Sequence, residues 1–163
     1  PAPDALLRVV LIEPRIPPNT GNIARTCAAF QLPLALIEPL GCTINDRTLR
    51  RAGLDYWPHV QVSMHPDFAD LLLQIPRPYR LIGCSRHGGD SLSTFQFLQG
   101  DVLLFGREDT GLPEPVRQTC DRILTIPMPG GVDADGQGGV RSLNLSVACA
   151  LVSYTAGRQL ELW

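Results

Sequence analysis

Short apolar runs recur along the chain, each ended by turn-forming residues or by the start of a helical pattern, and this rhythm limits the fold more than any other property. Leu6 to Ile12, Leu34 to Ile37, Val60 to Met64, Arg80 to Cys84, Val102 to Phe105 and Ile123 to Ile126 have the length and composition of buried strands. Between them lie stretches with helical character. After the break at Pro14, Pro17 and Pro18 comes Gly21 to Phe30; Asp46 caps a short basic helix to Ala52; Pro66 to Gln74 carries proline in its first turn; Pro113 to Cys120 is short, and Leu143 to Gln159 is a long closing helix. Parallel neighbours need crossover connections, so strands alternating with helices predict an α/β domain, a mostly parallel sheet with helices on both faces. Ligands in such sheets bind beyond the carboxyl ends of strands. That directs attention to the loops after Cys84, Phe105 and Ile126, which are also polar and glycine-rich.

The chain has 163 residues, enough for one core, so residues 1–163 are expected to form a single domain. No apolar run approaches the roughly 20 residues of a membrane-spanning helix, and Pro1-Ala2-Pro3-Asp4 lacks a secretory start, so a cytoplasmic location and no membrane partner are expected. Cys27, Cys42, Cys84, Cys120 and Cys149 are odd in number and lack the short paired spacings of zinc or redox sites, which reads as buried, reduced thiols without a metal. Asp133, Asp135 and Gly138 mimic part of a calcium loop, but Asn144 stands where a bidentate glutamate is wanted. A net charge of −2 argues against a sequence-independent nucleic-acid binder; no DNA partner is expected, and any RNA contact must be local. All 14 basic residues are arginine, whose planar donor fork suits phosphate oxygens.

Three segments carry the chemistry. Phe105-Gly106-Arg107-Glu108-Asp109-Thr110-Gly111-Leu112-Pro113 lies between a strand and a helix start, where glycines let backbone N–H groups approach a ligand. Its late position, the proline-rich first loop and the absence of lysine disfavour a Rossmann dinucleotide site and a Walker A loop. Asn19-Thr20-Gly21-Asn22-Ile23-Ala24-Arg25 reads as an asparagine-glycine loop leading into a helix, with Arg25 set in an otherwise apolar helical run. Arg141-Ser142-Leu143-Asn144-Leu145-Ser146 places polar side chains at the start of the last helix, with Ser142 as its N-cap. Capping and ligand binding are compatible there, since a helix N-terminus offers unpaired N–H donors to either.

In order and position these segments resemble the three signature motifs of the SPOUT methyltransferases. Ile16-Pro17-Pro18-Asn19-Thr20-Gly21-Asn22-Ile23, Ile37-Glu38-Pro39-Leu40-Gly41 and Leu49-Arg50-Arg51-Ala52-Gly53-Leu54-Asp55-Tyr56 look specifically like the small single-domain TrmL (YibK) branch, over nearly the whole chain. The resemblance implies a C-terminal trefoil knot, a homodimer, and tRNA (cytidine(34)-2′-O)-methyltransferase activity, moving a methyl group from S-adenosylmethionine to the ribose 2′-OH of the wobble nucleotide of tRNA. The general rule that connections do not thread one another predicts an unknotted sheet, so the knot rests on resemblance alone. By the same resemblance the methyl donor is held by Cys84, Gly106, Glu108, Gly111, Leu112, Ile126, Met128, Ser142 and Leu143. Two departures stand out: Gly130 to Val140 is longer than its family counterpart, and His87 stands where relatives often carry lysine.

Catalysis is assigned on this basis to Arg25, Asn19, Glu108 and Asn144. Guanidinium stays protonated, so Arg25 is expected to grip the adjacent phosphate and orient the hydroxyl while the other three fix its geometry, the proton acceptor remaining open. RNA contacts are assigned to Arg47, Arg50, Arg51, Arg141 and Tyr154. For the arginine run the alternative is a solvated helix face, and for Tyr154 and Arg158 it is a dimer interface. The competing functions are a ribose methyltransferase acting elsewhere on tRNA or rRNA, a silent RNA-binding module, and a nucleotide-dependent oxidoreductase.

Overall fold

The computed structural model describes residues 4–41, 57–131, 139–140 and 142–163. Its strands are β1 Leu7–Ile12, β2 Leu34–Ile37, β3 Val62–His65, β4 Arg80–Cys84, β5 Asp90–Ser91, β6 Asp101–Phe105 and β7 Arg122–Thr125. Its helices are α1 Pro17–Phe30, α2 Phe68–Gln74, α3 Glu114–Thr119 and α4 Leu145–Gln159, with short 3-10 turns at Trp57–His59 and Pro129–Gly131. The strands form one sheet in the order β3-β2-β1-β6-β4-β7-β5, and every pairing within it is parallel.

The side-chain period of two splits each central strand between two cores. Leu7, Val9 and Leu11 of β1 face α1 and α4, packing with Ile23, Cys27, Leu103, Phe105, Cys149 and Val152. Val10 and Ile12 point the other way, onto Leu71, Ile75, Leu104 and Val116 beneath α2 and α3. Both faces are thus covered, as near-continuous apolar strands require. Among the described residues, no helix is long and apolar enough to cross a membrane. Cys27, Cys84, Cys120 and Cys149 are free thiols, and burial pushes Cys149 up to about 12.

Several boundaries differ from the sequence reading. Pro17 and Pro18 do not break the chain before α1; they are its first residues, because the fixed φ of proline suits a helix start and its missing N–H needs no partner there. Asn19, Thr20 and Gly21 therefore sit in the first turn of a helix and not in a loop. Ser142 is not the N-cap of α4: that position is Asn144, whose side chain accepts from the Ser146 N–H. Pro66 lies ahead of α2, which Asp67 caps by accepting from Asp70 N–H. β3 runs to His65 and β7 ends at Thr125, while β5, only two residues long, leaves no periodic trace in sequence. The helix expected from Asp46 to Ala52 lies outside the described residues.

Candidate active site

Strands β4, β6 and β7 end together, and the loops that follow them wall a cavity of about 640 Å³ with the starts of α1 and α4. The loop after β6 is held in a tight turn by paired backbone bonds, Arg107 N–H to Gly111 O at 3.0 Å and Gly111 N–H to Arg107 O at 2.9 Å. Two glycines make that turn feasible. A Cβ on Gly106 would lie 2.1 Å from the Gly111 carbonyl carbon, and Gly111 itself has a φ of +75°.

The turn aims Glu108 at the start of α1. Because Pro17 and Pro18 supply no N–H, the donors left at this helix start are those of Arg15 and Ile16. Glu108 accepts from both, at 3.0 and 3.1 Å, and from Asn19 Nδ2 at 3.5 Å. Helix α1 has no side-chain cap of its own, so a carboxylate distant in sequence takes that role and favours the positive end of the helix dipole. At the other wall, Asn144 Oδ1 accepts from the Ser146 N–H and hydroxyl, and Asn144 Nδ2 donates to Asn19 Oδ1 at 3.1 Å. Ser146, Asn144, Asn19 and Glu108 thus form one hydrogen-bonded series in which every donor points toward the carboxylate. It joins the first, second and third sequence segments at the cavity.

The loop after β4 is fixed from α3. Arg117 donates through Nη1 to Ser85 Oγ and through Nη2 to the His87 carbonyl, both at 2.7 Å. Arg107 makes a bidentate pair with Asp109 at 3.0 and 2.9 Å, which raises the arginine further and lowers Asp109 to about 2. Arg86, Arg107 and Arg117 with Glu108 and Glu114 give the cavity a charged rim, whereas Phe105, Leu112, Leu124, Ile126 and Leu143 make an apolar wall. Burial pushes the Cys84 thiol well above its ordinary value, so a sulfur in the cavity wall stays protonated and poorly nucleophilic.

Every residue expected to hold a donor lines this cavity: Cys84, Gly106, Glu108, Gly111, Leu112, Ile126, Met128, Ser142 and Leu143. Asn19 and Asn144 line it as well. Arg25 is not in the lining; it is exposed on α1, three residues from exposed Asn22, so the two share a face of the helix. Tyr154 is also elsewhere. Leu145, Ala148 and Val152 are the side of α4 toward the cavity, while Tyr154 is 51% exposed on another side, packed near Phe30 and Trp163. Arg47, Arg50, Arg51 and Arg141 lie outside the described residues.

Ser85, Arg86, Arg107 and Thr110, in the loops Cys84 to Gly88 and Gly106 to Leu112 that the resemblance implies as the cradle, line the cavity too, whereas the sequence reading missed Ile16, Glu114 and Arg117. Arg117 had no signal in sequence, since its partners are about 30 residues away. Among the described residues, no three His, Cys, Asp or Glu side chains stand together as metal ligands.

The profile of the SpoU rRNA methylase family matches residues 6–154. A tRNA (cytidine(34)-2′-O)-methyltransferase from Polaromonas sp. is 42% identical over 155 residues, 94% of this chain and 91% of its own length. A solved structure described as giving insights into the 2-OH methylation of C/U34 on tRNA superposes with a TM-score of 0.85 at 47% identity, covering 97% of this chain and 98% of the other. The SpoU methyltransferase AviRb from Streptomyces viridochromogenes, solved in complex with AdoMet, superposes with a TM-score of 0.81 at 25% identity, over 99% of this chain and 60% of AviRb.

Proposed function

The chain belongs to the SpoU rRNA methylase family, and on that premise we propose that it transfers the methyl group of S-adenosylmethionine to the ribose 2′-OH of nucleotide 34, cytidine or uridine, in tRNA. The observation that carries this reading is the hydrogen-bonded series from Ser146 to Glu108, which ties the loop after β6 to the starts of α1 and α4 at the cavity.

The cavity fits the donor in size and chemistry. Its volume of about 640 Å³ lies within the usual range for small-ligand sites. Apolar Leu112, Ile126 and Leu143 suit an adenine ring, and the charged rim suits the zwitterionic amino-acid end. S-adenosylmethionine supplies a methyl group already activated by sulfonium. The protein's task is to place the ribose oxygen in line with it, an alignment worth roughly 7 to 11 kcal/mol of barrier.

Asn19 and Asn144 orient the hydroxyl at the cavity mouth, and Glu108 holds the first turn of α1 so that Asn19 stays in position. Arg25, exposed on the same helix, binds the phosphate beside the reacting ribose, a role for which its fixed charge is suited. Arg47, Arg50, Arg51 and Arg141 extend the phosphate contacts. Tyr154 belongs to dimerisation instead: Val147, Leu151 and Tyr154 follow helical spacing and are 48%, 44% and 51% exposed, and Tyr154 adjoins Trp163. This apolar stripe supports a homodimer. The likeness to solved SpoU methyltransferases over nearly the whole chain supports the trefoil knot that the family resemblance implies, and a tRNA substrate supports a cytoplasmic location.

Two measurements test the reading. Calorimetry should detect S-adenosylmethionine binding, and methyl-labelled donor should label bulk tRNA in alkali-resistant dinucleotides, because a 2′-O-methyl group blocks strand cleavage. Donor binding with no transfer to any tRNA supports the silent module instead. For Arg25, single-turnover transfer should fall steeply in Arg25→Ala and less in Arg25→Lys; near-normal rates in both would remove Arg25 from the site.

A further inference from the structure

A second cavity, of about 290 Å³, lies at the opposite end of the sheet, where β1, β2 and β3 begin. It shares no lining residue with the donor cavity. Val10, Ala35, Val62 and Leu71 make it largely apolar, and Arg8 and Ser63 bring polar groups to it. Arg8 is 7% exposed, an unusual degree of burial for a guanidinium group.

Ser63 is the end of a series of hydrogen bonds. Its Oγ lies 2.8 Å from His65 Nε2, and His65 Nδ1 lies 2.8 Å from Asp70 Oδ2. Ser63 and His65 are two apart on β3 and share the face that also carries Ala35 and Ile37 of the neighbouring strand. Asp70 comes from the first turn of α2, held there by the Asp67 cap, and Gln74 Nε2 donates to the same carboxylate oxygen at 2.9 Å. A carboxylate only accepts, so Nδ1 donates to Asp70, and Nε2 is the ring nitrogen that faces the Ser63 hydroxyl. His65 is 1% exposed and cannot readily turn away, whereas Ser63 is half-buried at the cavity wall. Nucleophile, base and orienting carboxylate therefore stand in the relation by which such a constellation is recognised on unrelated folds, by geometry and not by sequence order.

We propose that Ser63, His65 and Asp70 form a nucleophilic triad that hydrolyses small aliphatic acyl esters in the cavity beside Arg8. Ser63 Oγ bonds to the acyl carbon while His65 Nε2 takes the hydroxyl proton, and the positive charge of Arg8 favours the oxyanion that forms. Collapse of that intermediate breaks the ester C–O bond; the departing alcohol takes the proton from Nε2 and the acyl group remains on Ser63. Water then attacks with His65 again as base, giving the carboxylic acid and restoring the serine. The balance is ester plus water to acid plus alcohol, with no oxidant, metal or cofactor. The cavity's small volume and apolar lining restrict the acyl group to a few carbons.

The test exposes the whole protein to an alkyl fluorophosphonate, which phosphonylates an activated serine with loss of fluoride, followed by peptide mapping. One adduct on Ser63 is expected, absent in Ser63→Ala and forming at least about tenfold more slowly in Asp70→Asn, since the carboxylate sets tautomer and orientation. Hydrolysis of p-nitrophenyl acetate should fall in parallel, while Ser63→Ala leaves tRNA methylation unchanged. Thermal melts of both variants separate loss of reactivity from loss of fold; if Asp70→Asn melts early, the comparison of Ser63→Ala with the parent decides. No adduct on Ser63, or ester hydrolysis unaltered in a folded Ser63→Ala protein, overturns the proposal.

Discussion

Helices α1 and α4 both begin at the donor cavity, and they are capped in opposite ways. Helix α4 caps itself: Asn144, the residue before its first turn, accepts from Ser146 N–H. Helix α1 opens with two prolines after Ile16 and has no side-chain cap, so Glu108 from the loop after β6 takes the Arg15 and Ile16 N–H groups. The first helix start is thus conditional on a distant loop, the second is autonomous, and the Asn144 to Asn19 bond joins them. The lesson is that the α1 segment acquires its geometry only once β6 and its loop are in place. A catalytic arrangement built this way forms with the fold and not before it.

That contrast can be broken most forcefully at Glu108. Glu108→Ala leaves two backbone donors without their charged acceptor, a loss of about 1.5 to 3 kcal/mol in denaturant titration, and methyl transfer should fall by at least about 100-fold. Glu108→Gln keeps one acceptor oxygen and should fall between the parent and the alanine variant in both assays. Asn144→Ala removes the cap of α4 and the link to Asn19 together, costing about 1 kcal/mol as well as activity. Asn144→Ser separates the two, because serine restores the cap but lacks the donor toward Asn19: stability should return and turnover should not. Asn19→Ala should lower turnover with a stability loss of about 1 kcal/mol or less, since its bonds to Asn144 and Glu108 are partly exposed.

The smallest effect belongs to the exposed Arg107 and Asp109 pair. Asp109 is held at about 2 against an ordinary 3.8, so the pair's contribution is present above the ordinary value and lost as pH falls through about 2. Asp109→Asn should leave neutral-pH stability nearly unchanged and flatten the acid limb of the stability profile, read by thermal melts across that range.

Much of this architecture was legible in sequence because buried strands are apolar and periodic. Six of the seven strands among the described residues and the order of the alternation follow from the runs between Leu6 and Ile126, and the three polar, glycine-rich loops do converge on one cavity. What was misread is instructive. Proline signals both a break and a helix start, and nothing local to Pro17 distinguishes the two. Ser142 and Asn144 are both good caps, and the backbone's choice between them has no local sign. Arg117 acts on Ser85 and His87 across the fold, and the serine, histidine and aspartate at the far cavity span a strand and the next helix, so neither has a period to detect. The exposure of Arg25 outside the cavity lining likewise depends on which side of α1 packs on the sheet.

The most direct test of the central claim is to incubate the purified protein with bulk tRNA and S-adenosylmethionine and to map the modified nucleotide by mass spectrometry of nuclease fragments. The account predicts one methyl group per acceptor tRNA, on the ribose of nucleotide 34, absent with Glu108→Ala. A methyl group on a base, at another position, or on no tRNA from a protein that binds the donor would contradict it.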